Sequence, residues 1–316
     1  MLVYINYIMK MLLSFISVSL FLFSCHKNKN TPVTCDSYSI GMTVGCNITL
    51  VATSTSTGQT IKNYKSVIQL DGCNGVGVYD HIHNYYYLYG IVNTNQPILY
   101  RVNTTTGIGD TLASGPVLDI IASISNMVCN SMTGKIYFLR QGSYTNALII
   151  YEITPNAVGF SSRLVGNISN WGSYVSSPVV DESTGYIYFL ASNALGQGNE
   201  YSLIKVNIAS GSASFVENTG FSPISGLMYN NNDSMIYGVK SNMPYPDVLS
   251  TSLISIDPAT GVINTIVDSL NGYLFSSTFD YCNNLYVYGN EGLDPATGKL
   301  VKTFSSSAFW ENAGIY

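Results

Sequence analysis

Tyr86-Tyr87-Leu88-Tyr89-Gly90, Lys135-Ile136-Tyr137-Phe138-Leu139, Tyr186-Ile187-Tyr188-Phe189-Leu190, Met235-Ile236-Tyr237-Gly238-Val239 and Asn284-Leu285-Tyr286-Val287-Tyr288 are five forms of one short segment. Aligned on Tyr87, Tyr137, Tyr188, Tyr237 and Tyr286, they recur at spacings of 50, 51, 49 and 49 residues. Each follows an apolar strand of small residues and a polar turn, as in Val175-Ser176-Ser177-Pro178-Val179-Val180 before Asp181-Glu182-Ser183-Thr184-Gly185. Each except the divergent second is followed by a strand running into a Gly turn. Examples are Leu203-Ile204-Lys205-Val206-Asn207 into Gly211 and Leu253-Ile254-Ser255-Ile256-Asp257 into Gly261. Alternating apolar positions, β-branched and aromatic content, and turn signals at short intervals predict short antiparallel strands. No sustained 3.6-residue stripe exists beyond the first 25 residues, so the rest of the chain reads as all-β.

Four strands per repeat of about 50 residues is the pattern of a β-propeller blade. A β-sandwich of similar size would lack the period. The C-terminus supports a ring. Ser306-Ser307-Ala308-Phe309 through Ile315-Tyr316 matches Ser276-Ser277-Thr278-Phe279 through Leu285-Tyr286 without a gap, so the chain begins a new blade and stops. Near the other end, Ile48-Thr49-Leu50-Val51 with Ser56-Thr57-Gly58 resembles the later half of a blade. One blade shared between the termini would pair strand edges that are otherwise exposed. The expectation is a six-bladed β-propeller over residues 36–316, with five blades near 67–304 and one shared. The fifth is about 20 residues short and has lost a connecting loop. Residues 36–46 have no repeat partner and are a candidate for the missing strand.

The first 25 residues are a different kind of sequence. Lys10 precedes a 13-residue apolar run, Met11 to Phe23, which is the length of a signal-peptide core and short for a spanning helix. The run ends Leu22-Phe23-Ser24-Cys25, which resembles a bacterial lipoprotein lipobox. That resemblance implies acylation of Cys25, export, and anchoring in the cell envelope, with the outer membrane as the expected location. The other reading is an ordinary secretory signal with an incidental Cys. Residues 26–35 are polar and would serve as a tether.

Composition narrows the function classes. Of 316 residues, 13 are Lys or Arg and 18 are Asp or Glu, giving a net charge of −5. Nucleic-acid binding needs a basic footprint to displace counterions, and none is present. Three His, at positions 26, 81 and 83, leave little material for imidazole acid–base catalysis. Five Cys follow Cys25, at 35, 46, 73, 129 and 282. An oxidising envelope permits a disulfide, with Cys35 and Cys46 the closest in sequence, and the odd count leaves at least one free thiol. No C-x-x-C or Cys/His cluster has zinc spacing.

Candidate sites follow from this frame. His81-Ile82-His83 after Asp80 is the one clustering of metal-ligand types, but it falls on the turn between two strands of a blade. A solvated turn is the simpler reading, and no metal or other cofactor is expected. Gly75-Val76-Gly77-Val78 lacks the third glycine and the following helix of a nucleotide loop. Crowding at the inner strand accounts for it, as for Ser176, Ser225, Gly226, Ser276 and Ser306. Asp71 and Asp119, just before inner strands, are the best channel carboxylates. The blade-to-blade connections carry Trp171, Tyr174, Phe221 and Tyr273, with Trp310 near them. The loops between second and third strands carry Tyr144, Asn193, Gln197, Asn199, Asn242, Tyr245 and Asp247. Flat rings with amides and few charges suit a neutral polar ligand such as a glycan or an extended peptide.

The turns Asp257-Pro258-Ala259-Thr260-Gly261 and Asp294-Pro295-Ala296-Thr297-Gly298 resemble the tandem Asp-x-x-Thr-Gly blades of quinoprotein-like repeats. The whole pattern is similar to the TolB-like, NHL and YWTD-type propellers. These motifs are structural turns and bring no activity with them. The sequence therefore points to a binding or scaffold module whose partners are the lipid bilayer, through Cys25, and a glycan, peptide or envelope protein. Two alternatives stand beside it: a metal-dependent lyase or lactonase-type hydrolase using the channel, and a structural subunit of an outer-membrane assembly.

Overall fold

The computed structural model describes residues 38–42, 47–48, 50–54, 60–64, 68–69, 75–92, 96–114, 124–141, 147–157, 159–169, 175–192, 201–220, 224–241, 250–270, 277–281, 283–303 and 314–315. The chain divides into two units, Met1–Cys35 and Asp36–Tyr316, and every described residue belongs to the second. The expected export signal and tether, with Cys25, lie outside the described residues.

Five strands come first: β1 (Tyr38–Met42), β2 (Asn47–Ile48), β3 (Leu50–Ser54), β4 (Thr60–Asn63) and β5 (Ile68–Gln69). Blade one is β6 (Gly75–Asp80), β7 (Tyr85–Val92), β8 (Gln96–Asn103) and β9 (Gly109–Ser114). Blade two is β10 (Ile124–Asn130), β11 (Lys135–Gln141), β12 (Ala147–Asn156) and β13 (Gly159–Ser169). Blade three is β14 (Val175–Asp181), β15 (Tyr186–Ser192), β16 (Tyr201–Asn207) and β17 (Ala213–Gly220). Blade four is β18 (Ile224–Asn230), β19 (Met235–Ser241), β20 (Thr251–Ile256) and β21 (Ile263–Leu270). Blade five is β22 (Ser277–Asp280), β23 (Leu285–Tyr288), β24 (Glu291–Leu293) and β25 (Leu300–Thr303), and β26 (Gly314–Ile315) follows. Within each blade the strands pair antiparallel in chain order.

The blade count corrects the sequence arithmetic. Five blades are present where six were expected. The terminal strands do not form a sheet of their own: the order β26-β1-β3-β4 continues the fifth blade's sheet to eight strands. The link is one parallel bridge between Asp280 and Ile315. β26 pairs antiparallel with β1, Ser39 opposite Ile315 and Ile40 opposite Gly314, so strands from the two ends of the Asp36–Tyr316 unit are hydrogen-bonded together. In the shortened fifth blade, Gly289 and Asn290 alone connect β23 to β24, with Gly289 at φ +57°. Glycine reaches that left-handed conformation without the Cβ clash that other residues incur.

The core lies between blades. Tyr87, Tyr89 and Leu99 of blade one pack on Met127, Cys129, Ile136 and Phe138 of blade two. Tyr137, Leu139 and Ile150 of blade two meet Val180, Ile187 and Phe189 of blade three. Tyr188 and Leu203 meet Leu227, Tyr229 and Ile236, and Tyr237 and Val239 meet Phe279 and Tyr286. Ala52 and Tyr64 of the terminal segment pack on Tyr79, Tyr86 and Leu88 of blade one. The middle strands of blades two, three and four thus have a neighbouring blade on both faces. That is why β20 (Thr-Ser-Leu-Ile-Ser-Ile) is buried at every residue, while the outermost β25 is mostly exposed.

One register departs from the sequence alignment. Tyr87, Tyr137, Tyr188 and Tyr237 pair with Val78, Val128, Val179 and Met228. Their equivalent in blade five is Val287, opposite Thr278, and Tyr286 falls one residue earlier, opposite Phe279. A one-residue step along a strand moves a side chain to the other face. Tyr286 therefore faces blade four, where Tyr237 and Leu253 enclose it.

The recurrent turns have a common construction. Between first and second strands, Asn84, Gly134, Gly185, Ser234 and Asn284 hold one position at φ between +54° and +71°. Each turn opens on a buried Asx residue, at 80, 130, 181, 230 and 280. Its side-chain oxygen accepts from a turn N–H, as from His83, Thr133, Ser183, Asn232 and Asn283 at 3.0–3.1 Å. The Asp-x-x-Thr-Gly turns work likewise. Asp294 accepts from the amides of Ala296 and Thr297, and Gly298 N–H donates to the Asp294 carbonyl at 2.7 Å.

Candidate functional site

Trp171, Tyr174, Phe221, Tyr273, Tyr245, Asp71 and Asp119 all lie outside the described residues, as do Trp310 and the other loop positions singled out with them. At the turn end the site can be built from side chains.

The inner strands β6, β10, β14, β18 and β22 neighbour one another in turn. Between them a cavity of about 160 Å³ opens at the turns. Its walls are apolar, from Val78, Met127, Val128, Val179, Val180, Leu227 and Met228. Its rim is polar. His81, Ser131, Glu182, Asn231 and Tyr281, one from each blade, each immediately follow the buried Asx that opens the turn, and all five line the cavity. The capped turn fixes where these five side chains start; their identities differ, so no repeated residue type marks the rim in the sequence.

Contacts between blades set the rim. Glu182 Oε1 accepts the Ser131 amide at 2.8 Å, and Asn130 Nδ2 donates to the Glu182 carbonyl at 3.4 Å. The His81 and Tyr281 rings stack with centroids 6.4 Å apart and planes 13° from parallel. The Tyr281 hydroxyl donates to the Tyr229 carbonyl at 3.2 Å. The two histidines do not act together. His83 Nδ1 meets the buried Asp80 carboxylate at 2.9 Å with its ring half-exposed, whereas His81 is partly buried and turned to the cavity. The solvated turn expected from the sequence thus holds for His83 and not for His81.

Burial lowers the His81 pKa, against the opposing pull of Glu182 and Asp80, so the ring is neutral at pH 7. Burial raises the Cys129 thiol well above its ordinary value, and the charges of Asp80 and Glu182 push it further. A protonated thiol is a poor nucleophile. Burial also raises the Tyr281 phenol. Glu182 is the one Asp or Glu among the residues lining the cavity, which include no Lys or Arg. Among the described residues, no three His, Cys, Asp or Glu side chains are grouped to hold a metal ion.

The inner-strand glycines are explained by crowding. A Cβ on Gly77 would lie on the Tyr86 phenol, and one on Gly226, at φ +59°, would lie on Ser277 Oγ. These positions provide space for packing and no phosphate cradle.

No protein-family profile matches the sequence, and no curated protein matches it. Solved structures do resemble the fold. A nidogen/laminin complex gives a TM-score of 0.58 at 12% identity over 88% of this chain and 98% of that one. TolB from Acinetobacter baumannii gives 0.58 at 13% identity over 88% of this chain and 66% of that one. An oligogalacturonate lyase in complex with manganese gives 0.53 at 11% identity over 80% of this chain and 69% of that one. At such identity the likeness concerns the β-propeller alone.

Proposed function

We propose that the chain is an exported, lipid-anchored β-propeller of the cell envelope, in the outer membrane, that serves as a binding or scaffold module. The observation that favours a binding over a catalytic module is the state of the groups at the turn end of the channel. The Cys129 thiol is held protonated, His81 is held neutral, and Glu182 is tied to a neighbouring blade's amide. Such a mouth offers shape and polarity for recognition, with no activated nucleophile beside a base. The lyase among the structural neighbours shares the fold, and fold alone does not transfer its chemistry.

In this reading the aromatic loop face, with Trp171, Tyr174, Phe221, Tyr245 and Tyr273 beside Asp71 and Asp119, takes a glycan or an extended peptide. Acylated Cys25 holds the propeller to the bilayer. Two or more acyl chains suffice for stable attachment without a spanning helix.

The test combines a glycan and peptide array with the Trp171→Ala variant. Binding by the wild type, lost in the variant at nearly unchanged thermal stability, supports the reading. Destabilisation by about 3–5 kcal/mol, the usual cost of truncating a core Trp, would make Trp171 a packing residue and remove the loop-face site. Cys25→Ser should move the protein from membrane to soluble fractions; continued retention would overturn the lipid anchor.

A further inference from the structure

At the turn end of the channel, an open cavity of about 160 Å³, with apolar inner walls and nearly as much polar as apolar lining, lies beneath a rim that carries one carboxylate side chain, Glu182. An apolar cavity of about 150 Å³ is enough to hold a benzene ring. Glu182 is not mobile bait on a surface, because its Oε1 is fixed by the Ser131 amide at 2.8 Å. A carboxylate accepting one hydrogen bond keeps further acceptor positions for a ligand. Asp80, fully buried beside the mouth, adds negative potential, and His83, its partner, is not among the residues lining the cavity.

We propose that this cavity binds a protonated primary amine carrying an apolar group the size of one six-membered ring. The ring or branched alkyl body fills the space between Val78, Val128, Val180 and Met228, and the ammonium stays at the rim against Glu182. The Asn231 side chain and the stacked His81 and Tyr281 rings complete the mouth. An anionic ligand would meet Glu182 and Asp80 as like charges, and a neutral one would leave the carboxylate without a charged donor. The same chemistry comes from a free arylalkylamine or from the N-terminal residue of a peptide. None of the residues lining this cavity is one of the aromatic loop residues, so the two readings stand or fall separately.

Titration calorimetry on the full-length chain at low salt tests this with benzylamine, benzyl alcohol and benzoate. Benzylamine should bind at least about tenfold more tightly than benzyl alcohol, the scale of one charge-assisted hydrogen bond, and benzoate should bind weakest. Glu182→Gln keeps an acceptor for the Ser131 amide and should bring benzylamine down to the alcohol's affinity. Asn231→Lys, on an exposed turn residue, should weaken benzylamine as well by placing a competing cation at the rim. Absence of benzylamine binding, or equal binding by wild type and Glu182→Gln, would overturn the proposal. Phenylalanyl-glycine amide, with free or acetylated N-terminus, separates the two sources. Competition by the free form alone assigns a peptide terminus; no competition by either, with benzylamine still bound, assigns a free amine.

Discussion

The Tyr286 hydroxyl donates a 2.9 Å hydrogen bond to the Gly226 carbonyl, 60 residues earlier in the preceding blade. Gly226 sits at φ +59° with Ser277 Oγ where a Cβ would stand, and Tyr286 is fully buried. The bond thus ties the inner strand of blade four to the second strand of blade five. Tyr286→Phe should cost about 1 kcal/mol in urea denaturation, the net worth of one hydrogen bond, and Tyr286→Ala about 3–5 kcal/mol, that of a large aromatic. Equal losses in the two variants would mean that the hydroxyl, rather than the ring, carries the contact.

Two glycines with the same backbone conformation should respond differently to alanine. Gly185 has φ +71° and open space where a Cβ would stand, whereas Gly211 has φ +70° and a Cβ there would lie on the Val165 carbonyl of the preceding blade. Gly185→Ala should cost about 1 kcal/mol, the strain of a left-handed alanine. Gly211→Ala should cost about 3 kcal/mol or more, since the obstacle is backbone and cannot swing away. Similar costs at both sites would show that blade packing yields more easily than the contact implies.

The period of the Tyr-centred segment made the all-β propeller and its four-stranded blades legible in the sequence. Register was less legible, because an alignment on Tyr286 matches residue identity while the turn from Asp280 to Asn284 sets the pairing. The blade count failed for a related reason. A repeat marks a supersecondary unit, but hydrogen bonding decides which sheet its strands join, and one bridge at Asp280 merges the terminal strands with blade five. Of the channel rim the sequence singles out His81 alone, and as part of a solvated turn, because His81, Ser131, Glu182, Asn231 and Tyr281 share a position and no chemistry. Their common signal is the buried Asx one residue earlier, which reads as turn chemistry.

Cys129 should be inert in the native protein. It is buried at the blade-one interface, and burial together with Asp80 and Glu182 keeps its thiol protonated. Alkylation at pH 8 followed by mass spectrometry of the Cys129 peptide should give little labelling in buffer and rapid labelling in denaturant. Rapid native labelling would place the thiol in solvent and count against the cavity as described.

Glu152 provides a pH-dependent test of blade two. Its buried carboxylate meets Lys135 Nζ at 2.9 Å and Arg163 Nη2 at 2.7 Å, and accepts the Tyr137 hydroxyl at 3.3 Å. Burial pushes its pKa up, but the Arg163 and Lys135 hydrogen bonds outweigh that and hold it below the ordinary glutamate value. A carboxylate depressed in the folded state contributes stability that is fully present above its unfolded pKa, about 4.3, and is lost as pH falls through the folded value. Glu152→Gln should therefore destabilise at pH 7 by about 2 kcal/mol. That is less than the 3–5 kcal/mol of breaking a fully buried pair, because Lys135 and Arg163 are partly exposed and can turn to water. Below pH 4 the gap between variant and wild type should narrow, since the wild-type carboxyl takes up its proton and loses the same two cations. Denaturation midpoints of both proteins between pH 3 and pH 7 check this, and a gap that stays constant across that range would show that Glu152 acts through packing and not through its charge.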